Sequence, residues 1–405
     1  MENSNLSVLS SSIVNILTLR YDPSIKSNLL KKTWKDFQPV NQEINLEFIE
    51  KSLLDNISEK LDSSKAKKLC IALSGGVDST LILSLIRKIN PDIEINAISI
   101  KFANSVDETQ NASKIAEKFE AEHHIIELEN YLSELPKAIT QIKLPFWDLH
   151  WYHVVKKSKS LSQILASGDG GDEIFAGYTF RYEKFLKLTN ETTSPIDKVK
   201  AYLSCHERDR VSDQEEIFQK KSNFSWDSIY KLLLPYFDNP LSRLEQVYLA
   251  DYNGKLLYNF SPVNARIAKN FNIEVIAPLL NENLISYGIK IPTEKKYNKL
   301  TNVGKIPLRN LLEKYNYDSL VSKEKLGFNV NTVNLWNSNA HEICKTLFDN
   351  ARIIEDGWIN DDWIKKHIDK SNLDVKYVNK FLGLIAFEVW YRIFITKEMN
   401  ENTKL

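Results

Sequence analysis

The stretch LSGGVDST at residues 73–80 joins the apolar run KKLCIA, which precedes it, to the apolar run LILSLIRKI, which follows it. Adjacent glycines let a backbone approach a ligand closely, because no side chain stands in the way. Amide groups at the start of the following helix favour a phosphate group, and Asp78 adds a carboxylate of the kind that magnesium prefers. The stretch therefore predicts either a phosphate-binding turn or a tight strand-to-helix turn in which serine and aspartate only cap the helix.

Apolar runs rich in Ile and Val alternate with amphipathic segments on both sides of this turn. Such alternation is typical of an α/β unit in which helices flank a parallel sheet. After the strand that ends in the turn and the helix that follows it, we expect strands at 94–102, 122–128 and 162–167 and a helix at 107–121.

A change of composition divides the chain. The stretch TNETTSPIDK at 189–198 is polar and contains a proline, which is typical of a boundary between structural units. We therefore predict a short leading segment at 1–55, an α/β part at about 56–190 and a mainly helical part at about 195–400.

Composition and charge exclude several classes of protein. The 405 residues are 43% hydrophobic and 26% charged, and 53 basic residues balance 53 acidic ones, so that no basic tail indicates binding to nucleic acid. The three cysteines are far apart and predict buried thiols in a reducing, cytoplasmic protein. The longest apolar stretch, at 377–395, contains charged residues and predicts a buried helix, not a membrane span.

A second glycine-rich turn, SGDGGDEIFAGY at 167–178, again follows an apolar strand. It carries three acids, Asp169, Asp172 and Glu173. In a parallel sheet, both turns belong at the carboxyl ends of strands, where α/β folds bind ligands. If Asp78 and Asp172 face each other there, the two carboxylates could share one magnesium ion.

These two turns resemble those of the asparagine synthetase-type ATP pyrophosphatases, the PP-loop family. SGGVDS resembles the family's pyrophosphate loop, and SGDGGDEIFAGY resembles the signature of its asparagine synthetase domain. The segments VGKIPLRNLL, KEKLGF and FEVWYR are also similar, so that the resemblance covers roughly residues 55–395. It implies an adenine nucleotide α-hydrolase-like fold over 56–400, whose α/β part binds the nucleotide, and an AMP-forming amide ligase that uses ATP and Mg²⁺.

The resemblance also implies roles for individual residues. Lys305 would stabilise charge in the transition states, Asp169 would take a proton from the attacking amine, and Glu173 would belong to the same catalytic group. Asp78 and Asp172 would bind magnesium. Contacts to ATP or pyrophosphate would come from Ala72, Leu73, Ser74, Gly75, Gly76, Asp78, Ser79, Thr80, Ile100, Ser167, Gly168 and Lys325.

Two departures from the family concern the amine. Asp169 stands where asparagine synthetases typically have the longer Glu. The sequence begins Met-Glu-Asn, without the cysteine nucleophile and glutaminase domain of the glutamine-hydrolysing enzymes. We therefore expect the nucleophile to be ammonia, another amine, a group on the same substrate, or ammonia from a separate glutaminase subunit.

A third departure concerns the acid that is activated. Asn259, Ser261, Ile276 and Asn281 replace charged residues that the family commonly has in this region. Charges that could position a small zwitterion such as aspartate are thus missing. The acceptor could be aspartate or another small-molecule or peptide carboxylate, which would be amidated or cyclised.

Two further functions compete with the amide ligase. A tRNA-modifying PP-loop enzyme would adenylate a base, but the neutral charge and the second turn disfavour it. A non-catalytic partner subunit is disfavoured because Asp78, Asp172, Glu173 and Lys305 are all retained.

Overall fold

A parallel β-sheet lies at the centre of the protein in its computed structural model, which describes residues 10–41, 43–102, 109–206, 208, 210–322 and 331–405. In this part of the chain the sheet has five strands in the order β3-β2-β1-β4-β5, and all four pairings are parallel. The strands are β1 (Lys68–Ala72), β2 (Glu94–Phe102), β3 (Glu122–Leu128), β4 (Ile164–Ala166) and β5 (Glu274–Ile276).

Helices cover both faces of the sheet and make up most of the second half of the chain. The α-helices are α1 (Ser10–Leu19), α2 (Leu46–Ser64), α3 (Val77–Ile89), α4 (Thr109–Lys118), α5 (Leu135–Ile142), α6 (His150–Leu161), α7 (Gly171–Ile174), α8 (Thr179–Leu188), α9 (Pro195–Ser204), α10 (Trp226–Phe237), α11 (Arg243–Asp251), α12 (Ser261–Phe271), α13 (Glu282–Gly288), α14 (Thr293–Lys296), α15 (Ile306–Lys314), α16 (Thr332–Leu335), α17 (His341–Phe348), α18 (Arg352–Glu355), α19 (Asp361–His367) and α20 (Val375–Tyr391). A π-helical segment, Tyr252–Phe260, runs directly into α12.

Strand β1 is apolar on both faces, because the sheet has a hydrophobic core on each side. Leu69 and Ile71 belong to the core that contains α2 and α3, whereas Cys70 and Ala72 belong to the core that contains α6 and α20. Successive side chains of a strand point to opposite faces, so a strand buried on both sides is a continuous apolar run. This arrangement confirms the predicted α/β class with a parallel sheet between helices.

Most of the predicted elements of the α/β part are present. Strands β2 and β3 have the predicted bounds, whereas the strand predicted at 162–167 is limited to Ile164–Ala166. The helix predicted at 107–121 is described from Thr109 to Lys118. The predicted boundary near 189–198 stays a prediction, and β5, which comes from the mainly helical part, was not predicted.

Helix α20 confirms the buried helix expected near the C-terminus. Its Glu388 is fully buried, accepts hydrogen bonds of 3.0 Å from the backbone amides of Arg352 and Ile353, and lies 2.5 Å from Nε of Arg392. A buried carboxylate is tolerated when it is paired and hydrogen-bonded in this way. None of the helices in the described ranges has the combination of length and apolar character that crossing a membrane requires.

Candidate active site

The two glycine-rich turns meet at the centre of the sheet. Strands β1 and β4 are direct neighbours, with Cys70 beside Leu165 and Ile71 beside Ala166. One turn leaves β1 and the other leaves β4, so both lie at the same edge. The strand order reverses at this point, since β2 lies on the other side of β1. In open α/β sheets, the crevice at such a reversal is where ligands bind.

The first turn presents hydroxyl groups at the start of α3. The Ser74 and Ser79 hydroxyls lie 3.3 Å apart, and both residues border a cavity. Thr80 is instead fully buried and donates a 2.7 Å hydrogen bond to the Gly76 carbonyl. This turn therefore offers two serine hydroxyls and the amino-terminal end of a helix to a ligand, a combination that suits phosphate oxygens.

The second turn packs directly against Asp78 of the first. A Cβ atom placed on Gly171 would lie 2.4 Å from Oδ1 of Asp78, and one placed on Gly168 would lie 2.6 Å from its Cβ. Only glycine allows such a close approach. The glycines of the second turn thus bring it against the acid of the first turn.

Lys305 connects the acids of both turns. Its Nζ lies 2.5 Å from Oδ2 of Asp78 and 2.8 Å from Oδ1 of Asp172. The lysine immediately precedes α15, has a left-handed backbone (φ 58°), and its amide donates a 3.0 Å hydrogen bond to the Phe175 carbonyl. This bond ties the lysine to the second turn.

The surroundings keep Lys305 charged. Burial alone would lower the pKa of the ammonium, but the carboxylates of Asp172 and Asp78 outweigh that effect and raise the pKa above its usual value. Gly177 makes room for this group, because a Cβ there would lie 1.8 Å from Oδ1 of Asp172 and 2.4 Å from Cε of Lys305. The result is a buried cation held between two carboxylates.

The same two carboxylates fit a magnesium ion better than they fit a zinc-type site. The described residues contain no group of three or more His, Cys, Asp or Glu side chains that could hold a metal by themselves. Magnesium usually takes one or two carboxylates and completes its shell with water and phosphate oxygens. Asp78 and Asp172 are of this type, and both border the cavity.

Asp169 lies in the same cavity and is positioned by α12. Its Oδ2 accepts a 3.1 Å hydrogen bond from Nδ2 of Asn264. Burial raises the pKa of Asp169, while the hydrogen bonds from Asn264 and Ser167 oppose that rise. A carboxylate whose pKa is raised is a stronger base, which suits a proton acceptor.

Glu173 is held from behind by an aromatic and cationic layer. It is almost completely buried, and its Oε1 accepts a 2.5 Å hydrogen bond from the Tyr178 hydroxyl. The Arg181 guanidinium lies 3.6 Å from the centre of the Tyr178 ring and pairs with Asp251 at 2.9 Å. Each buried charge in this layer has a partner, so Glu173 is fixed in place.

These residues surround a cavity of about 570 Å³. Of the residues predicted from the sequence, Ala72, Ser74, Gly76, Asp78, Ser79, Ser167, Gly168, Asp169, Asp172, Glu173 and Lys305 line it. Leu73, Gly75, Thr80 and Ile100 do not, and Leu73 and Ile100 are buried in the two cores. Lys325 lies outside the described residues. The roles assigned to these residues stay predictions.

Part of the cavity lining was not predicted from the sequence. This part includes Asp148, just before α6, His150 and Trp151, at the start of α6, and Leu256, Phe260, Val263 and Asn264, in the π-helical segment or α12. The stretch PFWDLHWYH at 145–153 contains a signal, because it concentrates aromatic residues, an acid and two histidines just before and within the first turn of a helix. The α12 side gives no comparable signal.

The leading segment also supports residues that line the cavity, although no site residue was predicted there. The Arg20 side chain pairs with Asp148 and lies 5.1 Å from the centre of the Trp147 ring. Its backbone carbonyl accepts a 2.7 Å hydrogen bond from Nδ2 of Asn259. Asp148 and Asn259 both line the cavity, so Arg20 supports it at two points.

Comparison with known proteins agrees with the resemblance of the two turns. The family model described as Asparagine synthase matches residues 49–392. Asparagine synthetase [glutamine-hydrolyzing] 1 of Bacillus subtilis (strain 168) is 22% identical over 364 residues, which are 80% of this chain and 56% of that protein. Putative asparagine synthetase [glutamine-hydrolyzing] 2 of Methanocaldococcus jannaschii is 32% identical over 111 residues, 26% of this chain and 22% of that protein.

The match to the Bacillus subtilis protein thus covers most of this chain but only about half of that protein's length. Among solved structures, NMN synthetase from Francisella tularensis is similar over 52% of this chain and 95% of that chain, at 17% sequence identity and a TM-score of 0.28.

Proposed function

The chain belongs to the asparagine synthase family, and from that premise we propose that it is an ATP-dependent ligase that joins a carboxylic acid to an amine or ammonia. The reaction proceeds through an acyl-adenylate and releases pyrophosphate and AMP. The observation that carries this proposal is the contact of Lys305 with Asp78 and Asp172. It brings a cation and two potential magnesium ligands together beside two phosphate-type turns.

In the first step, an oxygen of the acid's carboxylate attacks the α-phosphorus of ATP. The bond between that phosphorus and the oxygen bridging to the β-phosphate breaks, and pyrophosphate leaves with the electron pair. Ser74, Ser79 and the start of α3 are suited to hold the departing pyrophosphate. The Lys305 ammonium offsets negative charge that builds up in this transition state.

In the second step, the amine nitrogen attacks the acyl carbon of the adenylate. The bond from that carbon to the AMP oxygen breaks, AMP leaves, and the nitrogen loses one proton. Asp169 is the proposed acceptor of that proton, since it lines the cavity and burial raises its pKa.

Magnesium, when bound by Asp78 and Asp172 together with phosphate oxygens, would neutralise part of the charge of the triphosphate. Asp78 and Asp172 also contact Lys305, so the lysine and the bound ion would both offset negative charge on the phosphates. Glu173 is the proposed positioning residue of this group, because Tyr178 and Arg181 fix it behind the second turn.

Free ammonia is the simplest nucleophile for this reaction. The alternatives are ammonia supplied by a separate glutaminase subunit and an amine on the substrate itself. The acceptor acid is a small-molecule or peptide carboxylate. Asn259 lines the cavity where the family commonly has a charged residue, whereas Ile276 and Asn281 do not line it. Ile276 is buried in a core, and Asn281 caps α13.

The proposal is tested by pyrophosphate exchange into ATP with Mg²⁺ over a panel of carboxylic acids, followed by product analysis after ammonium is added. Exchange that depends on an acid, and formation of AMP together with an amide, are the expected results. Formation of ADP in place of AMP would contradict the chemistry. Unchanged turnover in Asp172→Ala would contradict the assignment of the site.

A further inference from the structure

The cavity has two sides of different chemical character. One side consists of the glycine-rich turns and their acids, which are suited to the nucleotide and its phosphates. The other part of the lining includes Leu256, Phe260 and Val263, which we call the apolar wall. The apolar wall offers no group that binds phosphate, and none of its residues is among those expected to contact ATP, so it is available to the other substrate.

The apolar wall is a continuous helical stripe. Its three residues follow a spacing of four and then three positions along the π-helical segment and the start of α12. Residues at this spacing share one face of a helix. Leu256 and Val263 are buried and Phe260 is half-buried, so the stripe is a fixed surface.

The apolar wall lies next to the proposed site of proton transfer. Asn264 is adjacent to Val263 in the first turn of α12, and its amide donates to Asp169 at 3.1 Å. The amine that loses its proton to Asp169 is attached to the acyl carbon in the second step. The body of the acid must therefore extend from a point near Asp169, and the apolar wall begins there.

The charges around the cavity disfavour a second carboxylate on the acid. Five acids line it, namely Asp78, Asp148, Asp169, Asp172 and Glu173. Among the described residues, the basic side chains that line it are Lys305, Arg208 and His150. Lys305 already contacts Asp78 and Asp172, Arg208 is exposed to solvent, and burial lowers the pKa of His150, against the influence of Asp148.

Asn259, a polar residue next to the apolar wall, already has a hydrogen-bond partner. Asn259 stands beside the apolar wall, where the family commonly has a charged residue, and its side-chain amide donates to the Arg20 carbonyl at 2.7 Å. A buried carboxylate without a matching donor or cation loses its hydration without compensation. An uncharged hydrocarbon surface gains by contact with the apolar wall.

We propose that the acid activated by this chain carries an uncharged, apolar body, aliphatic or aromatic, that packs against Leu256, Phe260 and Val263. Aspartate and other acids with a second carboxylate are poor substrates. This inference rests on the ligase function proposed above, and it adds the chemical class of the substrate to it.

The experiment compares hexanoate with adipate, which has the same number of carbons and a second carboxylate, in Mg²⁺-dependent pyrophosphate exchange. Aspartate and 4-phenylbutyrate extend the comparison. We expect kcat/KM for hexanoate to exceed that for adipate by about tenfold or more, which corresponds to the cost of one poorly compensated charge.

Two substitutions of Phe260 sharpen the experiment. Phe260→Ala removes part of the apolar wall and should raise KM for hexanoate with little change in kcat, because contact with the body is present in ground and transition states alike. Phe260→Lys adds a cation and should shift the preference toward adipate. Phe271→Ala is the matched control, since Phe271 ends α12, the helix that begins directly after Phe260, packs on Tyr152 and does not line the cavity.

The selectivity ratio is the readout, since a loss of stability lowers activity toward both acids equally. Adipate or aspartate used as well as hexanoate by the wild type would overturn this inference and leave the ligase function standing. A preference that stays the same in Phe260→Lys would also overturn it. Exchange with none of these acids, and with none of the wider panel used to test the ligase function, would overturn the ligase function and this inference with it.

Discussion

Nζ of Lys305 lies 2.5 Å from Oδ2 of Asp78, although 227 positions of sequence separate the two residues. The same ammonium lies 2.8 Å from Asp172, so that one cation holds the acids of both turns together. Carboxylates this close repel each other unless a cation lies between them. Lys305 therefore has a structural effect as well as the proposed catalytic one, and the two can be separated by experiment.

Lys305→Ala should lower turnover by a factor of about 10² to 10³, the usual loss when one group that stabilises transition-state charge is removed. It should also leave Asp78 and Asp172 without their shared lysine. Mg²⁺ alone, without ATP, should then raise the melting temperature of the variant more than that of the wild type. Lys314→Ala is the control, because Lys314 ends α15, the helix that Lys305 immediately precedes, is half-exposed and pairs with Glu50. Unchanged turnover in Lys305→Ala would refute its assignment.

Gly177→Ala should abolish most activity without unfolding the protein. The added methyl group would lie 1.8 Å from Oδ1 of Asp172, so the aspartate or Lys305 must move. A displacement of about 1 Å at reacting groups can cost on the order of 10² in rate. Gly383→Ala is the matched control, since its methyl group would meet only Leu17, at 3.4 Å. Circular dichroism of both variants checks the fold, and equal turnover in the two variants would contradict the prediction.

The sequence predicted the glycine-rich turns because each is a local pattern, in which glycines and acids directly follow an apolar strand. The parallel sheet was predictable for the same reason. Strand β5 has only three residues, too few to show a periodicity. The contact between Arg20 and Asn259 joins positions 239 residues apart, and no local pattern indicates such a pairing. Leu256, Phe260 and Val263 resemble any apolar helix face until the cavity is seen.

The pH profile of turnover should depend on Asn264. The proposed proton acceptor, Asp169, must be ionised, so activity should fall as the pH drops through its raised pKa. Asn264→Leu removes a hydrogen bond that favours the ionised form, and it should raise that pKa further. The acid limb of the kcat profile should then move to higher pH, with amine and ATP held at saturation. An acid limb that stays in place, or moves to lower pH, would exclude Asp169 as the acceptor.

Arg20→Ala should weaken substrate binding more than it slows the reaction. The substitution removes the cation paired with Asp148, while the backbone contact to Asn259 remains possible. We expect KM for ATP or for the acid to rise by about tenfold, because a wall of the cavity loses its support. Arg20→Lys should recover part of the loss, since it retains the charge. A change confined to kcat, or equal values for the alanine and lysine variants, would contradict this role.

Lys296 should make the stability of the protein depend on pH. The side chain is fully buried, its Nζ donates to the Gly288 carbonyl at 3.2 Å, and burial lowers its pKa to about 7. The unfolded chain keeps this lysine protonated up to its ordinary pKa near 10.4, whereas the folded chain releases the proton above about pH 7. The unfolded state thus binds more protons between these values, and the free energy of unfolding should rise with pH in that window.

The variant Lys296→Met has no titrating side chain at this position. In urea unfolding, the stability of the wild type relative to the variant should therefore increase by about 2 kcal/mol from about pH 7.5 to about pH 9.5. A difference that stays constant over this range would show that Lys296 is protonated in the folded protein.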